Sequence, residues 1–551
     1  MKVKFCSHGI VTTKTRGASL INPSWLFMQK WYELHGKNPN LTWLLPGVLL
    51  TNVNESLQDI INDQPDILGL GVYSWNNNIQ HFIAKKVKEQ LPDTIIVLGG
   101  PDLSVHKDFE NGANSTDYFK KHPYVDYVVY GDGEKPFQQI IDYHSGFITS
   151  KEDFVNIIEN SKGEGKCYAY ELLCDELYLS QSPYASQEQH MFEMRDLWIS
   201  QGFKLSNQTW LMEFVRGCMY SCTFCDWSQN LTKKVKRRKH DWKLDIDLFY
   251  RLDVRVSLTD ANFGQWPEDI KAFDYACTLK DPTRNFSFRA ASLPKLKKDV
   301  SEYIMIQSAL IWGVAPKISI QDPMEDVLTA IDRPSVSWET LSTMVQNIKA
   351  KIPPEVFDKT VIETILGLPE QTLDSVVESY MKYYELGLVR ATYGPWVILP
   401  NSPAADSNYQ KLWGIKVKTT YELSSFDDLD VENLGNLYHQ LSQDTLDDSM
   451  SINEKTNFWA PMPLVIGHRK MTFSDLIATR IMIAKWDSFC KKFNIKKQFS
   501  NDQIRAVFVK LKNDAIKEAN DQYNLHKKYI DKYNFVVFGK YNPDTKKLSK
   551  L

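Results

Sequence analysis

The sequence predicts an α/β fold in three successive parts: a flavodoxin-like, Rossmann-type parallel-sheet domain, a run of strand–helix units, and a mainly helical C-terminal cap. Three observations predict it. Residues 1–145 alternate short apolar runs with helical patterns, as βαβ units do. Residues 206–410 repeat strand then helix six times. Beyond residue 411 apolar residues recur at helical spacing, over Leu476–Phe489 and Ile504–Tyr523. At 551 residues the chain is long enough for several domains, each with its own core.

Composition bounds the function classes. Hydrophobic residues at 43% and charged residues at 24% are ordinary for a globular protein. A net charge of -3 gives no global reason to expect nucleic acid or an anionic membrane as partner. The start, Met1 to Gly9, lacks the apolar core of a signal peptide, and no stretch approaches the roughly 18 apolar residues of a membrane span. The expectation is a cytoplasmic, reducing location, in which the eight cysteines are thiols rather than a disulfide framework.

In the first part, Val3–Cys6, Trp43–Leu50, Ile67–Tyr73, Thr94–Leu98 and Tyr127–Tyr130 read as strands, with helices near 22–36, 54–63, 77–90 and 134–144. Ligands of such sheets bind beyond the carboxyl ends of the strands. Those ends read Tyr73-Ser74-Trp75-Asn76, Gly99-Gly100-Pro101 and Gly131-Asp132-Gly133-Glu134, where glycine lets a bulky ligand approach the backbone. His8 lies on the loop after the first strand and is the best-placed histidine; His81 and His106 read as surface or satisfied core residues.

Residues 146–205, with Cys167 and Cys174, are polar and mixed and read as a linker. The second part then offers strands at Trp210–Val215, Val254–Thr259, Phe286–Ala290, Lys317–Gln321, Thr360–Leu366 and Thr392–Leu399. Its first strand runs into Arg216-Gly217-Cys218-Met219-Tyr220-Ser221-Cys222-Thr223-Phe224-Cys225-Asp226-Trp227. Thiolates bind soft metals, and three on one loop can hold three corners of a [4Fe–4S] cubane. A zinc site normally closes with four ligands, and the sequence has no second C-x-x-C pair.

The spacing of Cys218, Cys222 and Cys225 resembles the radical S-adenosylmethionine (SAM) superfamily. That resemblance implies a [4Fe–4S] cluster whose fourth iron is chelated by SAM, and reductive cleavage of SAM to methionine and a 5′-deoxyadenosyl radical. It also implies that the six units form a partial (β/α)6, TIM-like barrel, with chemistry at the carboxyl ends of its strands. Phe224 matches the family's aromatic against the adenine. By the same resemblance Asp260, Arg289, Ser319, Gln321, Gly367 and Leu399 are SAM contacts. Gly367-Leu368-Pro369-Glu370 departs from the frequent Gly-Leu-Pro-Gly, and the usual Gly-Gly-Glu after the second strand is absent.

The strand ends of the first part resemble the cobalamin-binding domain of one radical SAM branch, as does Ser182-Pro183-Tyr184 before the barrel. The implied cobalamin residues are His8, Ser74, Trp75, Gly99, Gly100, Gly131, Gly133 and Glu134. The Asp-x-His-x-x-Gly loop of base-off cobalamin domains is missing, so cobalamin would bind without a histidine on cobalt. Methylthiotransferases carry a second three-cysteine cluster, for which Cys6 alone is too little.

The function this implies is cobalamin-dependent methyl transfer to an unactivated carbon of a small-molecule or peptide substrate, with a flavodoxin or ferredoxin as electron donor. The alternatives are a radical SAM cyclase or rearrangement enzyme without methyl transfer, and a non-catalytic Fe–S scaffold. The basic run Lys233–His240 reads as a solvated helix face. Trp396, Trp413 and Trp459 are candidate pocket residues under the cap, while Cys277 and Cys490 read as inert thiols.

Overall fold

The computed structural model describes residues 1–10, 19–50, 53–73, 76–103, 115–150, 157–159, 167–171, 181–228, 235–238, 240–399, 401–422, 429–430, 462–493, 499–533, 535–538, 540–542 and 547–549. Strand β1 (Lys2–Ile10) starts the first sheet, whereas β2 (Ser19–Ile21) joins the barrel. One edge position beside β1 is shared by β3 (Thr42–Trp43) and β4 (Gly47–Leu50). On the other side follow β5 (Ile67–Gly71), β6 (Ile95–Gly99) and β7 (Tyr127–Gly131), all parallel. This is the flavodoxin order 2-1-3-4-5, with helices closing both faces. Every residue of β5 is buried, as a parallel strand covered on both sides requires.

The expected linker contributes to this sheet. Within it, β8 (Ile157–Glu159) and β9 (Cys167–Glu171) extend the edge, β9 parallel to β7 and β8 antiparallel to β9. An unpaired β7 edge would leave a row of backbone donors and acceptors open, which β9 closes. Helices α1 (Ser24–His35), α2 (Val53–Asp63), α3 (Asn77–Gln90) and α5 (Glu134–His144) fall where helical spacing puts them; α4 (Ser115–Lys121) is additional. Helix α1 is tied to α5 through the Tyr32 hydroxyl, which donates to the fully buried Asp142 at 2.7 Å.

After α6 (Glu188–Ser200) the barrel begins with β10 (Gln208–Met212). Two residues later β11 (Val215–Arg216) pairs antiparallel with β12 (Lys236–Arg237) and clamps the neck of the cysteine loop. The alternation continues through α7 (Trp242–Leu252), β13 (Arg255–Leu258), α8 (Pro267–Thr278), β14 (Ser287–Ala290), α9 (Lys298–Trp312) and β15 (Lys317–Gln321). It closes with α10 (Glu325–Ala330), α11 (Trp338–Lys351), α12 (Pro354–Phe357), β16 (Val361–Leu366), α13 (Leu373–Glu385) and β17 (Ala391–Pro395). The six strands form two parallel arcs, β10–β13–β14 and β15–β16–β17, with β2 added to the outer edge of β10. Val256, Leu258, Phe288, Ile318 and Ile362 face the helices and build the cores. Strand alternation therefore turns Ser257, Arg289, Ser319 and Glu363 to the opposite, inner side.

The C-terminal part differs from a helical lid over the mouth. Beyond α14 (Ser407–Trp413) lie β18 (Lys416–Glu422), β19 (Leu429–Asp430), β20 (Met462–Gly467), α15 (Phe473–Phe493), α16 (Asn501–Tyr533), β21 (Phe535–Phe538), β22 (Lys540–Asn542) and β23 (Lys547–Ser549). The strands form two small sheets, β20–β18–β21 and β19–β23–β22. Helix α15 runs down the barrel's flank: Leu476 lies against Gly367 at the carboxyl end of β16, and the Trp486 indole N–H donates to the Val389 carbonyl ahead of β17 at 3.3 Å. Trp486 stacks on Phe508 at 4.4 Å and both meet Tyr380, so α15 and α16 cover the apolar face of α13. Trp396 is core, Trp413 sits half-buried on α14, and Trp459 lies outside the described residues.

One apolar cluster joins the two α/β parts. It runs from Val3, Ile67 and Val97 through Trp25, Leu26 and Phe27 of α1 and Met191 and Met194 of α6 to Trp210, Phe249 and Phe288.

Candidate cofactor centre

Cys218 and Cys222 are buried and Cys225 is half-exposed. The loop is fastened at its midpoint. The Thr223 N–H donates to the Ile331 carbonyl and its own carbonyl accepts from Ala404 N–H, both at 2.9 Å. The Thr223 hydroxyl meets the Tyr409 hydroxyl at 2.9 Å. Three donors surround the sulfurs. Asn262 Nδ2 points at Cys218 Sγ at 3.3 Å, Lys295 Nζ stands 3.9 Å from the same sulfur, and Arg333 hydrogen-bonds Cys222 while lying over the Phe224 ring. Burial pushes the Cys225 thiol up to about 11, so binding a metal there would release a proton.

Among the described residues no three His, Cys, Asp or Glu side chains converge to hold a single ion. A cubane asks for something different, one thiolate per iron at separate corners. A short loop bearing three thiols, ringed by N–H donors and cations that offset thiolate charge, fits that group.

The strand ends beside the loop hold buried polar atoms without a partner among the described residues: Asp260 Oδ2 and Asn262 Oδ1 after β13, Arg289 Nε on β14 and Gln321 Oε1 on β15. Buried polar groups are nearly always hydrogen-bonded, so unpaired atoms on three consecutive strands suit a polar ligand such as SAM. Asp260 is also structural. Its Oδ1 accepts the Phe214 N–H at 2.9 Å, and burial holds its carboxyl well above the usual range. Ser319 is already engaged, donating to Glu363 at 2.5 Å, while Lys317 holds the other oxygen of that carboxylate. Gly367 lies in the left-handed region (φ +97°) and gives its N–H to Gln371, a buried glutamine that also binds Asp322. Leu399 lies beyond β17, half-buried, its carbonyl accepting from Ser402.

On the first sheet, Gly100 (φ +121°) packs so closely that an added Cβ would stand 2.3 Å from the Val72 carbonyl oxygen. A Cβ on Gly99 would make ordinary contact with Val129, Gly131 is left-handed, and a Cβ on Gly133 would strike Met28. Ser74 and Trp75 lie outside the described residues, as do His106 and Cys174. His8 does not reach a ligand loop: its ring is buried, Nδ1 bonded to Gln80 of α3 at 3.2 Å and Nε2 facing Gly47. Burial lowers its pKa to about 4, which keeps it neutral. Glu134 is likewise spoken for, paired with Arg216. His81 is a satisfied core residue between Tyr118 and Tyr124. Burial raises the half-buried thiols Cys277 and Cys490 to about 12.

The described part of the basic run, 235–238 and 240, is not a solvated helix face. Lys236 and Arg237 form β12, Arg238 is buried against Glu213 at 3.0 Å and over the Phe27 ring at 4.0 Å, and Arg237 bonds Asp269. Carboxylates waiting on the barrel's first units took the charges in. Arg216, Asn262, Lys295 and Arg333 carried no assignment from the sequence. Arg216 stands within the quoted cysteine-loop motif, which is the signal that could have found it.

The carboxyl ends of the two sheets are tied together. Arg216 reaches Asp132 and Glu134, Asn401 Nδ2 donates to the Pro101 carbonyl at 2.9 Å, and Asn22 Nδ2 to the Tyr73 hydroxyl at 2.5 Å. A bulky planar cofactor on the glycine-bearing ends of the first sheet would thus face the cysteine loop.

Comparison with known proteins points the same way. No family model matches the chain. It is 27% identical over 412 residues to the cobalamin-dependent radical SAM methyltransferase TokK of Streptomyces tokunonensis, covering 67% of this chain and 52% of that protein. It is 27% identical over 411 residues to a 2-(S-pantetheinyl)-carbapenam-3-carboxylate methyltransferase of Streptantibioticus cattleyicolor, covering 68% and 52%. The chain spans about half the length of these curated relatives. In fold it is similar to the radical SAM methyltransferase TsrM of Kitasatospora setae with cobalamin and [4Fe–4S] cluster bound, with a TM-score of 0.53 at 12% identity over 95% of this chain and 99% of that one. It is similar also to the cobalamin-dependent SAM radical enzyme OxsB, with a TM-score of 0.52 at 12% identity over 97% and 83%. The chain is thus similar in sequence to a cobalamin-dependent radical SAM methyltransferase and to a carbapenam methyltransferase, and in fold to TsrM and OxsB.

Proposed function

We propose that the chain is a radical SAM enzyme that uses cobalamin to move a methyl group to an unactivated carbon of a small-molecule substrate. The observation that carries this reading is the apposition of the cysteine loop with the glycine-bearing strand ends of the first sheet. A [4Fe–4S] cluster supplies the electron that cleaves SAM, and cobalamin carries methyl. Cys218, Cys222 and Cys225 would hold the cluster, with Asn262 and Lys295 donating to the Cys218 sulfur and Arg333 to that of Cys222. Arg289, Gln321, Asp260 and Asn262 would pair SAM's polar groups with atoms that otherwise stay unsatisfied. The Gly99-Gly100 and Gly131–Gly133 turns would let the corrin ring sit against the backbone.

Anaerobic reconstitution with iron, sulfide and cobalamin tests the proposal. The expected outcome is about four irons, one cobalamin and 5′-deoxyadenosine formation, with cluster and turnover both lost in Cys218→Ala. Absence of cobalamin uptake, with 5′-deoxyadenosine still formed, would favour cyclisation or rearrangement instead. A cluster that never turns SAM over would favour a scaffold.

A further inference from the structure

We propose that Arg216 is the positioning residue that sets the distance and angle between the two cofactor loops, a role that rests on the reading of function above. Arg216 lies on β11, two residues ahead of Cys218. Its Nη1 bonds Asp132 Oδ1 at 2.9 Å, on the loop after β7, and Glu134 Oε1 at 3.1 Å, at the start of α5. Its Nε bonds Glu213 Oε1 at 3.0 Å, on the step between β10 and β11. One guanidinium therefore spans three carboxylates, two on the first sheet and one on the barrel.

The surroundings fix it further. Glu213 is held from the other side by Arg238, whose Nη2 reaches the same oxygen at 3.0 Å and whose Nε bonds the Glu213 carbonyl at 3.0 Å. Both guanidiniums lie over the Phe27 ring, Arg216 at 5.6 Å and Arg238 at 4.0 Å. Phe27 belongs to α1, the helix packed between the two α/β parts. The three carboxylates are largely shielded from water, with side-chain exposures of 14% for Asp132, 3% for Glu134 and 13% for Glu213. Water therefore screens these contacts weakly, and their directions are held by the fork of the guanidinium.

A lysine would keep the charge but not the planar fork. A group needed only for charge balance tolerates that exchange; a spacer does not. The cysteine loop has its neck at the β11–β12 ladder, so a shift of Arg216 moves the first cysteine with it. Two further contacts between the strand-end faces, Asn401 with Pro101 and Asn22 with Tyr73, are single neutral hydrogen bonds, neither of which has the several-point geometry of the guanidinium.

The test uses the full chain loaded anaerobically with cluster and cobalamin, as wild type, Arg216→Lys and Arg216→Met. Iron and cobalamin contents are measured first. The paramagnetic relaxation of cob(II)alamin by the reduced cluster is then read by electron paramagnetic resonance, because it falls steeply with the separation of the two spins. The expected result is undiminished iron and cobalamin in Arg216→Lys, with cob(II)alamin relaxation slowed several-fold and more dispersed than in wild type. Arg216→Met is expected to go further in the same direction. Unchanged relaxation in Arg216→Lys would overturn the proposal, and that variant decides the matter if Arg216→Met fails to fold. Loss of cobalamin with iron retained would also overturn it, by making Arg216 a binding group rather than a spacer. Wild-type protein that takes up no cobalamin would instead strike the functional reading, and this proposal with it.

Discussion

At the scale of single residues, the chemistry of the site depends on which polar atoms are left over once the fold has used the rest. Asn262 donates to Cys218 Sγ while its carbonyl oxygen stays unpaired. Hydrogen bonds to cluster sulfurs raise the reduction potential. Asn262→Leu should therefore lower the cluster's midpoint potential, read by a spectroscopic redox titration, with iron content maintained. His8 makes the opposite point, a residue chosen for its loop that the fold keeps for itself. Lys4 and Gln80 face it, and burial lowers its pKa from 6.5 to about 4. A base with a depressed folded pKa binds fewer protons folded than unfolded. Its contribution is therefore present above pH 6.5 and is lost as the pH falls toward 4, in total roughly 3 kcal/mol. Unfolding midpoints measured between pH 7.5 and 4.5 should fall with acid, and His8→Gln should remove that part of the slope. A histidine after a strand end looks the same in sequence whether it faces a ligand or a helix. The side is decided by strand register, which here gives it to Gln80.

At the scale of elements, periodicity made most of the fold legible. The strands of both α/β parts and helices α1, α2, α3 and α5 stand close to where alternation and helical spacing put them. What stayed hidden was pairing at a distance. Strand β9 is five residues in a polar stretch, and its pairing with the edge of β7 and with β8 makes it a strand. The β11–β12 ladder joins residues on either side of the cysteine loop, and Arg237 and Arg238 of the basic run pair with carboxylates distant in sequence, Asp269 and Glu213. The C-terminal helices were legible as helices, but their docking site was not, because amphipathic spacing says that a face is covered and not by what. Trp486 is fully buried between α13 and α16, so Trp486→Ala should cost about 3–5 kcal/mol by chemical denaturation. Gly100→Ala should destabilise by more than about 1 kcal/mol, since its φ of +121° and the Val72 carbonyl both exclude a side chain.

At the scale of the whole molecule, the cysteine motif and the order of strand ends carry the chemistry proposed for the site, while its geometry comes from contacts between the two α/β parts. One apolar cluster runs through α1 and α6 from the first sheet to the barrel. The two parts should therefore unfold together, as a single calorimetric transition, rather than as two separable ones. The short strand β2 presses the point further. It leaves the chain only eight residues after β1, yet pairs with β10 in the other sheet. Cutting the gene between the two α/β parts would strip the barrel of a bordering strand and bare the hydrogen-bonding rim of β10 to any sticky neighbour. The halves are thus not interchangeable cassettes: a transplanted barrel would have to bring along the opening residues of the domain before it.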